Sequence, residues 1–247
     1  MVRSVRTRRS CESCAVFTLL ITVLDISRQT RATYELGVIM LLFNRLAVTT
    51  GDMPAIMPLM QEVVGIANGV GVPLQAWAGS NGYVAGSIGF SAAYESLAAL
   101  AESSEKLRAA KGWWEVNRKF REHTISMEPD TILNYVRGGS LGTAIPVGTV
   151  VQQNSFQLAQ GADFMATLKW ANEFADLNKA LTGVDGNILY TIYGALGGVG
   201  FITGYPNMAA VDAARAKMTP EWMAKFLEGS KFGMAGSGMQ RTMTKIA

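Results

Sequence analysis

The sequence lacks several features on which common classes of protein depend. Its 247 residues include one histidine, His123, and two cysteines, Cys11 and Cys14. A single histidine excludes a site that needs two histidines from one chain, and two cysteines exclude a disulfide scaffold. The cysteines form a lone CxxC motif without the second ligand pair of a structural zinc site, so we predict no metal. No apolar run reaches the roughly 18 residues of a membrane-spanning helix, which excludes a polytopic membrane protein.

Net positive charge is confined to the N-terminal segment. The formal net charge is +3, but residues 1–32 hold six arginines and two acidic residues, so the remainder is slightly acidic. A nucleic-acid-binding domain needs a basic face on its folded body, because phosphate contacts supply most of the affinity. We therefore exclude nucleic acid as a partner. Residues 1–35 are predicted to be an N-terminal extension of a cytoplasmic protein, with export as the alternative if residues 1–30 act as a signal segment.

What the sequence does contain is a duplication, which is visible in its glycines. Residues 72–90 and 187–205 align at a shift of 115 positions, and each segment reads as strand, tight turn and strand. The turn of the first segment contains Asn-Gly, which is typical of hairpins because both turn residues must tolerate positive φ. The matched glycines are Gly79 with Gly194, Gly82 with Gly197, and Gly89 with Gly204. Upstream the shift becomes 110, which places Asn44 on Asn154 and Gly51 on Gly161.

Each copy has the same predicted order of elements. The patterns indicate a strand (36–48 and 147–158), a helix (52–67 and 162–181), the hairpin, a second helix (92–110 and 207–217), a short aromatic helical segment (112–122 and 220–230) and a closing strand (131–136 and 239–246). This β-α-β-β-α-β order is that of a ferredoxin-like unit. We predict an α+β chain with tandem units at 36–137 and 147–247, joined by a linker at 138–146. Each sheet leaves one apolar face uncovered, so we expect the two antiparallel sheets to pair into one α/β barrel.

The paired units resemble the dimeric α/β-barrel superfamily, in a tandem fused form that closes its barrel within one chain. The second copy carries the likeness, in a helix with Asn172-Glu173, a Gly-Gly hairpin, the helix MAAVDAARAKM and the tail GMAGSGMQRTMTKI. The resemblance implies one of four classes: haem-degrading oxygenases, chlorite-dismutase-like haem proteins, cofactor-free quinone or polyketide monooxygenases, or proteins without known activity.

Haem is disfavoured by the same resemblance. It implies, for the haem-degrading members, an Asn on the first strand, a Trp at the end of the third strand and a His on the second helix. Asn44 matches the first, but Phe90 stands where Trp is expected and residues 92–110 contain no His. The fused chlorite-dismutase-like proteins take their iron-ligating His from the second unit, and residues 140–247 contain none. We interpret His123 as a surface residue and predict no cofactor.

The candidate substrate-binding residues lie on the strands. Cofactor-free oxidation needs an apolar pocket with polar groups that hold the oxygens of the substrate. Residues 152–155 (Gln-Gln-Asn-Ser) place four polar side chains in a strand otherwise expected in the core, so they must face a cavity, water or a partner. The positions predicted to face inward also include Gln152, Tyr83 and Tyr205, and the substrate-binding candidates among them are Asn44, Arg45, Gln75, Trp77, Gln153, Asn154, Tyr190 and Tyr193. The alternative for the aromatic residues is that they only fill the barrel.

Two functions therefore stay open from the sequence. The first is a protein that binds a small apolar or aromatic molecule, in its enzymatic form a cofactor-free monooxygenase. The second is a non-catalytic interaction or stress-related barrel protein, and either could form a homo-oligomer. A pocket of about 300 Å³ or more that contains Asn44 or Asn154 would favour the first, and a barrel interior closed by side chains would favour the second.

Overall fold

The computed structural model describes residues 40–139 and 145–247, so the predicted extension at 1–35 and most of the predicted linker lie outside the described residues. The first unit consists of β1 (Leu41–Thr49), α1 (Met53–Gly69), β2 (Gln75–Gly79), β3 (Ser87–Tyr94), α2 (Leu97–Ala109), α3 (Trp113–Glu122), β4 (Thr124–Met127) and β5 (Thr131–Arg137). The second consists of β6 (Val150–Gln157), α4 (Phe164–Thr182), β7 (Gly186–Tyr193), β8 (Gly198–Tyr205), α5 (Met208–Arg215), α6 (Pro220–Glu228), a 3-10 turn (Gly229–Lys231) and β9 (Met239–Lys245).

Eight antiparallel strands close into a barrel. The strand order is β2-β3-β1-β5 in the first unit and β7-β8-β6-β9 in the second. The barrel closes because β5 pairs with β7 and β2 pairs with β9, which leaves no open sheet edge between the units. The predicted fold, two ferredoxin-like units whose sheets form one α/β barrel, is confirmed. Among the described residues, no helix is both long and apolar enough to cross a membrane.

The first helix of each unit begins in the same way. Gly51 and Gly161 both have φ +80°, a conformation that side chains with a Cβ rarely adopt. Asp52 then caps α1 by accepting from the backbone N–H of Ala55. Asp163 caps α4 in the same way. The repeated glycine and acidic cap therefore fix the point at which each strand turns into its helix.

Two elements differ from the sequence pattern. The predicted helix at 92–110 begins only at Leu97, because residues 92–94 pair with β1 and Ser96 caps the helix by accepting from the N–H of Ala99. The pattern also does not predict β4. This strand extends the pairing of β5 along β1, and residues 128–130, which include Pro129 without an N–H, interrupt the ladder between them.

The two faces of the barrel strands have different neighbours. Alternate residues of each strand point outward and pack against the helices, and the residues between them point into the barrel. In the first unit the outward residues Ala47, Ala76, Ile88 and Phe90 share one core cluster with Ile56 and other residues of α1. At one end of the barrel interior, buried side chains form a second cluster: Leu42, Tyr135, Leu189 and Ile202.

Candidate functional site

A cavity lies between the outer face of the second sheet and the helices that cover it. This helix-side cavity has a volume of about 610 Å³. Its floor is formed by β6 and β8, and its walls by α4, α6 and the loop after α6. The wall residues are mainly aromatic and the floor is partly polar. Its principal lining residues are Gln152, Asn154, Phe201, Thr203, Trp222 and Phe226.

The aromatic walls form one connected cluster. The ring of Trp170 stacks on Phe174 at 5.8 Å between centroids and meets Phe201 edge-on at 5.6 Å. Phe174 continues the cluster to Trp222 at 5.1 Å, and Trp222 stacks on Phe226 at 5.4 Å. Because α4 and α6 each place aromatic residues four positions apart, their rings lie on the faces that the helices turn toward each other. The cluster offers flat apolar surfaces of the kind that aromatic ligands contact.

Helix α6 covers this cavity and is tied to α4 by three polar contacts. The Trp170 Nε1–H donates to the carbonyl of Lys225 at 2.8 Å, and the Trp222 Nε1–H donates to Asn178 Oδ1 at 3.2 Å. The Lys225 ammonium also lies 2.6 Å from Glu173 Oε2. These contacts fix the orientation of two cavity-wall indoles and hold α6 in place without filling the space beneath it.

The equivalent helix of the first unit packs differently. In α3 the side chains of Val116 and Phe120 are buried, and Phe120 meets Phe90 of the sheet edge-on at 5.7 Å. In contrast, α6 has no buried residue, and Met223, Phe226 and Leu227 are 47%, 44% and 57% exposed. Helix α3 therefore packs directly onto the sheet of the first unit, whereas a cavity lies beneath α6 at the same place in the second.

The polar groups of the cavity are few and lie on its floor and rim. Gln152 is only 7% exposed, and its carboxamide has no hydrogen-bond partner among the described residues. Its polar atoms are therefore open to a ligand or to water in the cavity. Arg215, at the end of α5, is the one charged residue that the described lining contains, and no described carboxylate pairs with it. Burial raises the pKa of Tyr205, so its hydroxyl stays protonated at neutral pH.

A smaller cavity of about 310 Å³ lies inside the barrel. This barrel-interior cavity extends from the apolar residues Leu133, Val151 and Ile202 to a polar mouth at Tyr83 and Arg241. The loop between β2 and β3 places Tyr83 across the mouth, where its hydroxyl lies 3.3 Å from Gln153 Oε1. Both cavities thus reach a size that can hold a small molecule.

Comparison with known proteins gives a likeness in structure only. No family model matches the sequence, and no curated protein matches it. A protein of Fusobacterium nucleatum that is provisionally named a monooxygenase superposes with a TM-score of 0.63 at 5% identity, over 85% of this chain and 93% of that one. An anthrone oxidase-like protein gives 0.54 at 15% identity over 86% and 93%, and a protein provisionally named a chlorite dismutase gives 0.54 at 9% identity over 84% and 95%. The chain has the dimeric α/β-barrel fold. At such identities the likeness concerns the fold alone.

Four of the predicted site residues line the barrel-interior cavity: Asn44, Arg45, Trp77 and Gln153. The indole N–H of Trp77 donates to Ser91 Oγ at 2.8 Å, which fixes the ring against β3. The guanidinium of Arg45 makes two hydrogen bonds to Asp130, at 2.7 and 2.8 Å, so a carboxylate already balances its charge. Gln75 shares the inward face of β2 with Trp77 but does not line the cavity.

The other predicted residues lie elsewhere in the structure. Asn154 points outward and lines the helix-side cavity, which differs from the expected inward position because its neighbour Gln153 takes the inward face of the strand. Tyr190 also points outward, where its ring meets Phe164 of α4 at 5.4 Å. Tyr193 is 54% exposed at the end of β7. The structure thus places five of the eight predicted residues in two cavities and the other three outside both.

Sequence reasoning did not select the residues that form most of the helix-side cavity. The aromatic residues of α4 and α6 carried a visible signal, since both segments have large rings at helical spacing, but that pattern is equally typical of a packed core. Arg215 had no signal of its own in the sequence. Its position becomes informative only when the fold brings the end of α5 to the rim of the cavity.

The donor set of the helix-side cavity does not fit haem held by histidine or cysteine. Its described lining contains neither residue, and His123 ends α3 in the first unit, outside both cavities. Across residues 40–139 and 145–247, no group of three or more His, Cys, Asp or Glu residues could hold a metal ion.

Proposed function

We propose that the helix-side cavity binds a small apolar or aromatic molecule, and that the protein oxidises it with molecular oxygen in the manner of a cofactor-free monooxygenase. The observation that carries this proposal is the space beneath α6. At the same place in the first unit, Val116 and Phe120 pack into the core, so the two units differ here. The monooxygenase and anthrone oxidase names of the similar structures belong to those proteins, and they suggest which chemistry to test first.

The size and lining of the cavity support an aromatic substrate. Its volume of about 610 Å³ lies within the range of roughly 300–1,000 Å³ that is usual for ligand sites. The stacked pairs Trp170–Phe174 and Trp222–Phe226 provide flat walls. A molecule of two or three fused rings would exchange contact with water for contact with these rings, at about 25 cal/mol for each Å² of apolar surface buried.

The polar groups support a substrate that reacts as an anion. The Gln152 carboxamide is placed to hold a carbonyl or phenolic oxygen, and Arg215 can stabilise negative charge that develops on it. The described lining holds no carboxylate, imidazole or amine that could act as a base, so the proton passes to water. With anthrone, the carbanion would add to O₂ and the resulting hydroperoxide would lose water. One O₂ is consumed, and anthraquinone and one water are released.

The test combines binding with turnover. We expect anthrone to raise the melting temperature of the full-length protein, because a ligand that binds only the folded state stabilises it. Oxygen uptake and anthraquinone formation should proceed at a one-to-one ratio, faster than without protein. Gln152→Leu, which keeps the volume of the side chain, should weaken binding, and Arg215→Gln should lower turnover by about tenfold, as expected for loss of a charge-assisted hydrogen bond. Arg121→Gln is the matched control, since Arg121 is likewise exposed and lies in the first unit.

Two results would contradict the proposal. If neither anthrone nor any other polycyclic phenol or ketone shifted the melting temperature, the space beneath α6 would not be a small-molecule site, and the non-catalytic alternative would be favoured. If Gln153→Leu abolished turnover while Gln152→Leu did not, the substrate would lie inside the barrel, because these neighbours occupy opposite faces of β6.

A further inference from the structure

We propose that the barrel-interior cavity is a second binding site, separate from the helix-side cavity, for a small carboxylate with an apolar tail. The carboxylate would pair with Arg241 at the mouth, and the tail would extend toward Leu133, Val151 and Ile202. This inference does not depend on the proposed oxidation, since the two sites lie on opposite faces of the second sheet.

Arg241 supplies the main argument. Its partner in the β6–β9 ladder is Gln153, so both side chains point into the barrel. The guanidinium carbon lies 4.8 Å from the centre of the Tyr83 ring, and one of its nitrogens lies 3.2 Å from the sulfur of Met239. A thioether is a weak acceptor, and no described carboxylate lies within ion-pair distance of Arg241. A half-buried guanidinium held in this way keeps donors available for an anion.

Neighbouring groups add donors at the same end of the cavity. Burial raises the pKa of Tyr83, so its hydroxyl remains protonated and donates to Gln153 Oε1. That bond occupies the carbonyl oxygen of the Gln153 carboxamide and leaves its NH₂ group available as a donor to a ligand. Asn44 lines the same cavity from β1, and its carboxamide has no partner among the described residues. A carboxylate beside Arg241 would therefore meet one cation and the amide donor of Gln153, its partner in the ladder.

The opposite end of the cavity is apolar. Leu133, Val151 and Ile202 form it, and they belong to or pack against the buried cluster that contains Leu42 and Leu189. This gradient from a cationic mouth to an apolar end fits an amphipathic anion better than a sugar or a metal ion. The volume of about 310 Å³ selects a short tail, such as that of hexanoate or benzoate.

One residue at the mouth opposes an anion. Glu128 also lines the cavity, but its side chain is exposed and therefore screened by salt and water. Arg45 and Asp130 are paired with each other and leave no net charge. The half-buried Arg241 is thus the charge that a ligand inside the barrel would experience most strongly.

The experiment compares three six-carbon probes by titration calorimetry on the full-length protein. We expect hexanoate to bind more tightly than hexanol, and hexylamine to bind most weakly. Arg241→Gln should weaken hexanoate by about tenfold or more while hexanol keeps its affinity, because only the charged contact is lost. Retained hexanol binding also shows that the variant is folded.

A second pair of variants tests the location. Gly200 lines the cavity, and a Cβ at this position would meet no atom closer than 3.8 Å, so Gly200→Val starts from an unstrained Cβ and adds its methyl groups inside the barrel. We expect it to abolish binding of hexanoate and hexanol. Gly204→Val is the control, since Gly204 lies four residues further along β8, on the same face of the strand, but outside the cavity.

Three outcomes would overturn the inference. These are absence of hexanoate binding to the unchanged protein, equal binding of hexanoate and hexylamine, and hexanoate binding that survives both Arg241→Gln and Gly200→Val. None of them bears on anthrone turnover, which is assigned to Gln152 and Arg215. Failure of this site and failure of the proposed function are therefore distinguishable.

Discussion

The contact between α6 and Trp170 can be tested with one methyl group. Gly229 follows α6 with helical angles, φ −65° and ψ −21°, so alanine would fit its backbone without strain. A Cβ at Gly229 would, however, overlap the six-membered ring of Trp170. That indole is held by its bond to the Lys225 carbonyl and by its stack on Phe174, so moving it toward the cavity would weaken both contacts.

The expected magnitude follows from two opposing effects. Replacing a helical glycine by alanine stabilises a protein by up to about 1 kcal/mol. Overpacking a filled site destabilises it by about 1–3 kcal/mol. Gly65→Ala provides the reference, because Gly65 lies within α1 and a Cβ there would have no atom within 4 Å. We expect Gly65→Ala to stabilise the protein by about 0.5–1 kcal/mol and Gly229→Ala to be less stable than Gly65→Ala by about 1–3 kcal/mol.

The assay is urea-induced unfolding followed by far-ultraviolet circular dichroism, with the free energy of unfolding taken from the linear dependence on urea. A displaced Trp170 should also weaken anthrone binding in Gly229→Ala and leave it unchanged in Gly65→Ala. If the two alanine variants gained the same stability, the packing of α6 against Trp170 described above would be refuted. The assignment of α6 as the cover of the cavity would then fail with it.

Three further predictions concern other parts of the barrel. The buried Tyr135 hydroxyl has no partner among the described residues, and burial raises its pKa, so we expect stability to fall above about pH 10, where tyrosine ionises in the unfolded state. Burial also raises the pKa of Tyr83, Tyr94, Tyr190 and Tyr205, so Tyr135→Phe should reduce this loss without removing it and should be as stable or more stable at pH 7, measured by urea unfolding. Arg137 of β5 pairs with Asp176 and Asp185 of the second unit, so Arg137→Met should lower the melting temperature, with a smaller difference in 1 M NaCl. Haem titration should give no Soret band that changes with His123→Ala, and a tight complex dependent on His123 would contradict the interpretation of this residue.

Arg137 also links stability to acid. Its guanidinium and the Lys179 ammonium, which makes the larger contribution, lower the pKa of Asp185. A carboxylate whose pKa is lower in the folded state stabilises that state above its unfolded pKa and loses this contribution as the pH falls through the folded value. The difference between the native protein and Arg137→Met should therefore be fully present at pH 7 and become smaller at acidic pH.

The duplication was readable from the sequence because its signals are local. A glycine with positive φ, an acidic helix cap and an Asn-Gly turn each constrain only a few residues, and the fold uses Gly51 and Gly161 in the same conformation. The pairing of the two sheets followed from their uncovered apolar faces. The length of β3 was misread because an alanine-rich run suits both a strand end and a helix start, and only pairing with β1 decides between them.

The site was harder to predict because it depends on the parity of the alignment. The inward residues of β1 include Asn44, and those of β6 include Gln153, so equivalent strand positions differ by an odd number. The inward residues have even numbers in β1 and odd numbers in β6, so a shift of 110 matches each inward residue of β1 with an outward residue of β6. For this reason Asn154, which is matched with Asn44, lies outside the barrel. The glycines before the helices align at 110, whereas the strands before them do not. No local pattern reveals such a one-residue offset.

The space beneath α6 was not predictable for a different reason. Trp222 and Phe226 are spaced like core residues, and whether such rings fill a core or only border it is decided by the distance at which the whole helix stands from the sheet. That distance depends on contacts remote in the chain, such as Trp170 with Lys225.

The unequal packing of the two copies has a consequence for how this protein tolerates change. Substitutions between the sheet and the helices of the first copy alter a packed core, so we expect them mainly to lower the stability of the folded state. Substitutions at the corresponding places of the second copy alter the walls of a chamber and can reshape what it accepts while the first copy keeps the barrel together. We therefore expect the ligand preference of the second copy to change readily, while the first copy maintains the stability of the barrel.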